Sequence, residues 1–293
     1  MVSGPIIAIV GPTASGKSSL AMAVARKHGG EIIAADSRTI YRGMDIGTAK
    51  PTAAEQAEIP HRLLDVVDPD QAYSAAEFKR AAEAEVAAIQ ARGHLPLVVG
   101  GTGLYVYGLI YDYQFPAGAA NELRDELQQK PLDVLVELLR REDPEAASAI
   151  DLQNPRRVIR ALETVGHPRQ KAMQLNPKIL LVGLRPDEDQ LNKQIVQRAY
   201  AMQQIGLTTE VANLIEKYGP ETEAFRSPGY AEIIDFLAKR TTLKEAEDLI
   251  NLHTRQLVRR QLTWFKRNPE IHWFESQAEA EVAIDQFIDN GYT

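Results

Sequence analysis

The 293-residue sequence predicts an α/β fold: a parallel sheet with helices on both faces, and a small helical domain inserted between two of its strands. Three observations lead there. Short, unalternated apolar runs recur along the chain, as strands buried on both faces require. Stretches with helical spacing stand between the first of these runs. Residues 116–176 contain no strand-like run and are broken repeatedly by Pro and Gly.

Taken in order, Pro5–Val10 is the first apolar run, and Gly11–Gly16 is small and flexible. Lys17–His28 then has helical spacing, with Leu20, Ala21, Val24 and Ala25 on one face. Glu31–Ala35 reads as the second strand, Ser74–Arg92 as a helix and Leu95–Val99 as the third strand. Tyr105, Tyr107, Tyr111 and Tyr113 have strand-like spacing in places and read as core or rim packing. The insertion reads as four short helices, Asn121–Gln129, Leu132–Glu142, Pro144–Ala149 and Pro155–Val165, punctuated by Pro116, Gly118, Pro131, Pro168 and Pro177. Lys178–Leu184 returns to the sheet. Helix dominates afterwards, at Asp189–Gly206, Thr208–Tyr218, Ala231–Lys239 and Leu243–Asn268, and Trp264 and Phe265 of the last read as core. The expected division is 1–115 with 177–293 as the core and 116–176 as the inserted domain.

Composition excludes several classes. Apolar residues make up 44 % and charged residues 25 %, ordinary globular usage that rules out global disorder. The absence of Cys rules out a disulfide framework, a thiolate nucleophile and a Cys-bearing zinc site, and fits a cytoplasmic setting. The longest apolar runs, Pro5–Val10 and Ile179–Leu184, fall far short of the ~20 residues that span a bilayer. The N-terminus has neither a basic n-region nor a long apolar stretch, so no signal peptide and no membrane partner are expected. The net charge of −7 argues against a nucleic-acid partner, but its distribution does not. Arg156, Arg157, Arg160, Arg169 and Lys171 face only Glu163 in the stretch from Asn154 to Lys171. Arg255, Arg259, Arg260, Lys266 and Arg267 meet no acid between Leu249 and Pro269. Such stripes are either a polyanion surface or solvated helix faces with counter-charges elsewhere.

Gly11-Pro12-Thr13-Ala14-Ser15-Gly16-Lys17-Ser18 matches G-x-x-x-x-G-K-[ST] between a strand and a helix, where that loop works. Loop amides and the helix N-terminus favour phosphate, Lys17 supplies a point charge, and the Ser18 hydroxyl can ligate a divalent cation bridging phosphates. The core is therefore predicted as a P-loop nucleoside-triphosphate-hydrolase-like sheet. The loop grips a diphosphate, with or without a nucleotide attached. Asp36 follows the second strand, in the layer where open α/β sheets bind ligands. It suits a general base or a metal partner, and equally a helix N-cap or turn. Gly100-Gly101-Thr102-Gly103 follows the third strand where a Walker-B Asp often stands, and brings one hydroxyl, that of Thr102. His61 and Asp65 lack a third ligand at a telling interval and read as a surface turn.

Together these segments resemble the bacterial tRNA dimethylallyltransferases over about Ile6 to Phe274. The resemblance rests on the phosphate loop at 11–18, on Asp36-Ser37-Arg38 with Ile40–Pro51, on His61–Asp65 and Gly100–Tyr105, on Asn154–Glu163 and on Thr254–Leu257. It implies transfer of a dimethylallyl group from dimethylallyl diphosphate to the exocyclic amine of the adenine just 3′ of the anticodon, in tRNAs reading codons that begin with U. Lys17 and the loop would hold the diphosphate, with Mg²⁺ at Ser18. Asp36 resembles the base and Thr102 the group that orients the amine. Ser37, Arg38 and Thr39 beside them resemble tRNA contacts, as do Arg124, Arg156, Arg157, Val158, Ile159 and Arg160 of the insertion and the segment Arg226–Tyr230 with Gly229. Arg255 resembles a diphosphate-side arginine. The implied partners are the anticodon stem-loop of tRNA and dimethylallyl diphosphate, and the implied state is a cytoplasmic monomer. The chain departs from the family's usual pattern at Thr39, where many relatives have Gln, and at Pro228 and Ala231, which flank Gly229-Tyr230. The rival readings are an adenylate isopentenyltransferase acting on free nucleotide, a P-loop small-molecule kinase and a non-enzymatic RNA-binding protein.

Overall fold

The computed structural model describes residues 4–115, 121–166 and 175–291. Pro116, Gly118, Pro168, Arg169 and Lys171, singled out from the sequence, lie outside them. Contacts divide the chain into two compact units, residues 1–113 with 174–293, and residues 114–173.

The first unit is built on six parallel strands: β1 (Ile6–Val10), β2 (Gly30–Ala34), β3 (His61–Arg62), β4 (Leu95–Gly100), β5 (Ile179–Leu184) and β6 (His272–Phe274). Their order across the sheet is β3-β2-β4-β1-β5-β6. Strand β1 is entirely buried, because successive residues face two different cores. Ile6, Ala8 and Val10 pack with Phe78, Val106 and Phe265, whereas Ile7 and Ile9 pack with Leu20, Val24 and Ile284. Each fully buried Ile or Leu contributes ~1.5–3 kcal/mol, so the strands are apolar without alternation.

Helices α1 (Lys17–His28), α2 (Ala53–Glu58), α3 (Ala75–Ala91) and α4 (Gly103–Ile110) complete the first half of this unit. Ser74 caps α3 and exchanges hydrogen bonds with Glu77, which places the helix start at the residue that the sequence indicates. The tyrosines read as partly strand-like belong instead to α4 and the turn after it. Every residue of α4 except Leu104 is buried, so the helix has no polar face and no helical period to betray it. The sequence also missed β3 and β6, two edge strands of two and three residues that are too short to carry a pattern.

The second unit holds helices α5 (Asn121–Gln128), α6 (Leu132–Glu142), α7 (Pro144–Ala149) and α8 (Pro155–Glu163). Leu127, Leu135, Leu139, Val158, Ile159 and Leu162 form its core. Asn154 caps α8, and Pro155 takes its first position.

The chain returns to the first unit with β5, followed by α9 (Glu188–Gln204), α10 (Leu207–Tyr218), α11 (Tyr230–Leu237), α12 (Leu243–Phe265) and α13 (Gln277–Asp289). Met44, Leu207, Val211, Phe225, Tyr230 and Ile250 make a third core that ties α10–α12 to the segment after β2. This packing brings α9 and α12 to the carboxyl end of the sheet, where the phosphate loop leaves β1.

Candidate active site

The loop after β1 turns tightly, and two details show how the sequence allows it. Gly11 has φ 144°, and a Cβ there would lie 2.4 Å from the Leu184 carbonyl oxygen. Gly100 ends β4 where a Cβ would lie 1.9 Å from the Ala35 carbonyl oxygen, so only glycine lets β4 and the end of β2 approach this closely. Lys17 opens α1 and donates through Nζ to the Pro12 carbonyl at 2.5 Å. Burial pulls the Lys17 pKa down to about 8, and the repulsion of Arg198 adds to this, while the Asp36 carboxylate works in the opposite direction. Solvent still reaches the side chain, but protein surrounds the ammonium in a deep concavity.

That concavity has a volume of about 550 Å³ and is lined by the loop from Thr13 to Ser19, and by Asp36, Thr48, Lys50 and His61 among others. A second cavity of about 250 Å³ holds Ser37, Arg38, Thr102, Met202, Pro228 and Leu257 in its wall. Thr13, Asp36, Thr48, Gly101, Arg198 and Gln261 line both, so the two spaces meet at Asp36. Asp36 Oδ1 accepts from the Arg38 N–H at 2.8 Å, which fixes the carboxylate while its other oxygen makes no hydrogen bond among the described residues. Thr102 Oγ1 accepts from the Ser37 N–H at 3.0 Å and donates to Ser37 Oγ at 3.3 Å. Lys17, Asp36 and Thr102 thus come together from the ends of three strands.

Two residues of this junction escaped the sequence reading. Arg198 of α9 donates from Nη1 to Thr13 Oγ1 at 3.0 Å and from Nη2 to the Thr48 carbonyl at 3.2 Å. Burial lowers its pKa and the charge of Asp36 raises it. Gln261 of α12 accepts from the Thr13 N–H at 2.8 Å and donates to the Gly101 carbonyl at 3.2 Å, which bridges the loops after β1 and β4. Neither belongs to a local motif, and each reads as an ordinary polar residue of a long helix.

Other residues singled out from the sequence lie elsewhere or are engaged differently. Arg255 does not line the phosphate cavity. Its Nε donates to Asn192 Oδ1 at 3.2 Å, in a separate groove with Arg185, Arg259 and Lys266. Position 255 falls on a different face of α12 from Gln261, so Arg198 is the arginine at the loop. Tyr230 is fully buried, its ring stacks on Phe225 and its hydroxyl donates to Glu210, so its side chain presents no surface to an RNA. Val158 and Ile159 likewise fill the core of the second unit. Thr39 is buried and lines the phosphate cavity rather than the second one. Arg226 and Gly229 do line the second cavity. In the second unit Arg156 and Arg157 are exposed, whereas Arg124 and Arg160 hold the buried Glu163 carboxylate at 3.1 and 3.0 Å. His61 and Asp65 form no metal cluster: the His61 ring bonds the Ile59 carbonyl and Asp65 pairs with Lys50. No group of three His, Asp or Glu side chains suited to a metal occurs among the described residues. A divalent cation here would take the Ser18 hydroxyl, an exposed group at the rim of the cavity, and otherwise phosphate and water oxygens. That sparse, hard donor set suits Mg²⁺, which keeps much of its water and binds through substrate phosphates. Among the described residues no helix is long and apolar enough to cross a membrane.

A parallel sheet with a glycine-rich G-x-x-x-x-G-K-[ST] loop after its first strand, a second cavity beyond it and a carboxylate where the two meet defines a P-loop-like α/β protein whose site lies at the carboxyl ends of its strands. The model of the IPP transferase family matches residues 39–268, and the chain belongs to that family. It is 42 % identical to the tRNA dimethylallyltransferase of Pelotomaculum thermopropionicum, over 97 % of this chain and 95 % of the relative. It is 44 % identical to tRNA dimethylallyltransferase 1 of Pelobacter propionicus, over 92 % of each. Among solved structures, the full-length tRNA isopentenylpyrophosphate transferase of Bacillus halodurans superposes with a TM-score of 0.75 at 36 % identity, over 99 % of this chain and 97 % of that one.

Proposed function

We propose that the two cavities divide one reaction: the larger holds the diphosphate of dimethylallyl diphosphate, and the smaller takes the adenine next to the anticodon of a tRNA. The protein transfers the dimethylallyl group to the exocyclic amine of that adenine and releases diphosphate. The observation that carries this is the position of Asp36, the one carboxylate common to both cavities. The allylic C–O bond breaks, the new C–N bond forms from the amine nitrogen, and the amine proton passes to Asp36. A positioned carboxylate helps because an adenine amine is a poor nucleophile. Thr102 orients the amine through its hydroxyl, whose own position is fixed by Ser37. Negative charge builds on the leaving oxygen beside Lys17, the loop amides and Arg198, all in place before the reaction begins. Mg²⁺, bound at Ser18, would add charge neutralisation on the diphosphate.

The adenine must leave its stack to reach so deep a site, and an unpaired anticodon loop makes this inexpensive. Ser37, Arg38, Arg226 and Gly229 line the space it would enter. In the second unit, exposed Arg156 and Arg157 supply phosphate contacts for the stem-loop, and the ion pairs of Arg124 and Arg160 with Glu163 shape the surface beside them. The same reading gives a monomer acting in the cytoplasm, where its RNA substrate is found. The test is incubation of unmodified tRNA with dimethylallyl diphosphate and Mg²⁺, followed by nucleoside digestion. Prenylated adenosine from the position next to the anticodon supports the proposal; its absence, with RNA and donor both bound, overturns it.

A further inference from the structure

We propose that Glu210, on α10 and outside the walls of both cavities, is a positioning residue for the leaving-group side of the site, acting through Arg198. The inference rests on the proposed function only in taking the phosphate cavity to be a diphosphate site. Glu210 Oε2 accepts from the N–H groups of Asp45 and Ile46 at 3.0 and 2.7 Å. Its Oε1 accepts from the Gly47 N–H at 3.1 Å and from the Tyr230 hydroxyl at 2.6 Å. Three consecutive amides converging on one anion form a nest, an arrangement that sets the backbone of the segment that makes it. The anion here belongs to the protein itself.

The held segment leads directly into the site. Thr48 follows Gly47, lines both cavities, and its carbonyl receives Nη2 of Arg198. The other end of the guanidinium is fixed by Thr13 in the phosphate loop. The Arg198 fork therefore spans two segments, and Glu210 sets one of them. Contacts made by Gly47 and Lys50 show that the segment has little room to move. A Cβ on Gly47 would lie 2.4 Å from the Tyr230 ring, so the backbone lies against the tyrosine that also bonds Glu210. From the other direction Lys50 Nζ bonds the Tyr41 carbonyl, Asp45 and Asp65 at 2.6, 2.7 and 2.6 Å. A planar guanidinium loses its value when its fork is misaimed, because its hydrogen bonds are directional. Loosening the segment therefore acts on Arg198 without touching any ligand.

The near-isosteric Glu210→Gln removes the charge and turns an amide NH₂ toward donors that need an acceptor. The test is a double-mutant cycle of Glu210→Gln with Arg198→Ala, read out as affinity for inorganic diphosphate, as kcat for prenyl transfer and as KM for tRNA. Glu210→Gln in the parent is expected to weaken diphosphate binding and lower kcat by roughly tenfold each, with KM for tRNA unchanged. In the Arg198→Ala background the same substitution is expected to cost less than about twofold. Equal losses in both backgrounds overturn the inference, because a merely structural glutamate lowers activity regardless of Arg198. Should Glu210→Gln fail to fold, Tyr230→Phe removes one donor to the same carboxylate and is run through the same cycle, with the same two outcomes. Coupling in diphosphate affinity alongside a parent that transfers no prenyl group supports the inference and refutes the proposed reaction instead.

Discussion

Replacing Asp36 with Asn separates chemistry from architecture. Asp36 Oδ1 accepts a 2.8 Å hydrogen bond from the Arg38 N–H, and an amide oxygen can accept the same bond. The turn that carries Ser37 and Arg38 into the second cavity is thus kept, and the loss falls on the group that takes the proton. A positioned base contributes about 10²–10⁴ in rate, so kcat should fall by that factor while the melting temperature stays within a few degrees. The substitution also removes the counter-charge that Lys17 and Arg198 share. Lys17 sits at about 8 with Asp36 raising it, so without the carboxylate it titrates lower still. The sign follows: protonated Lys17 favours the diphosphate, donor affinity declines as pH rises through the Lys17 value, and in the variant the decline begins at lower pH. Single-turnover transfer to an anticodon stem-loop, with donor affinity measured from pH 6 to 9, reads both effects. A kcat within about threefold of the parent at neutral pH would refute the base assignment.

Three other outcomes follow from the same structure. Arg157→Ala, on the exposed side of α8, should weaken tRNA binding and reduce its salt dependence by about one phosphate contact, while donor affinity is unchanged; equal loss of both affinities contradicts a role confined to RNA. Burial alone would raise the Glu31 pKa, but hydrogen bonds from Arg92, Arg62 and His94 outweigh it and hold the carboxyl at about 2. Its stabilisation is therefore complete above the unfolded value near 4.5 and lost as pH falls toward 2, so Glu31→Gln should cost ~1–3 kcal/mol at neutral pH and flatten the acid limb of a denaturation curve. Gly100→Ala sets a methyl group against the Ala35 carbonyl oxygen and should destabilise by more than ~3 kcal/mol in urea titration.

The fold class was legible because parallel strands buried on both sides leave continuous apolar runs: β1, β4 and β5 do so throughout, and β2 does from Ile32 onward, after the ion-paired Glu31. The edge strands β3 and β6 and the all-buried helix α4 leave no such trace, since a pattern needs either length or a contrast between faces. The site divides in the same way. Lys17, Ser18, Asp36 and Thr102 sit in loops directly after strands, where position in the sequence already fixes position in the sheet. Arg198, Gln261 and Glu210 are single polar residues inside long helices, and only the packing of α9, α10 and α12 selects the face that meets the loops. Arg255 shows the converse. Charge counting marked it as part of a stripe, yet its helix face turns it toward Asn192 and away from the phosphate loop. Tyr230, Val158 and Ile159 lie within segments that reach toward the RNA in the proposed reaction, but their own side chains build the cores that shape those segments.

The most direct test of prenyl transfer at the Asp36 junction is a competition. The protein, Mg²⁺ and labelled dimethylallyl diphosphate are supplied with an unmodified anticodon stem-loop and AMP together, and the label is followed into each. Label in the stem-loop adenine alone is the predicted result. Label in AMP would contradict the account, because the second cavity would then serve a free nucleotide and not a base delivered by RNA.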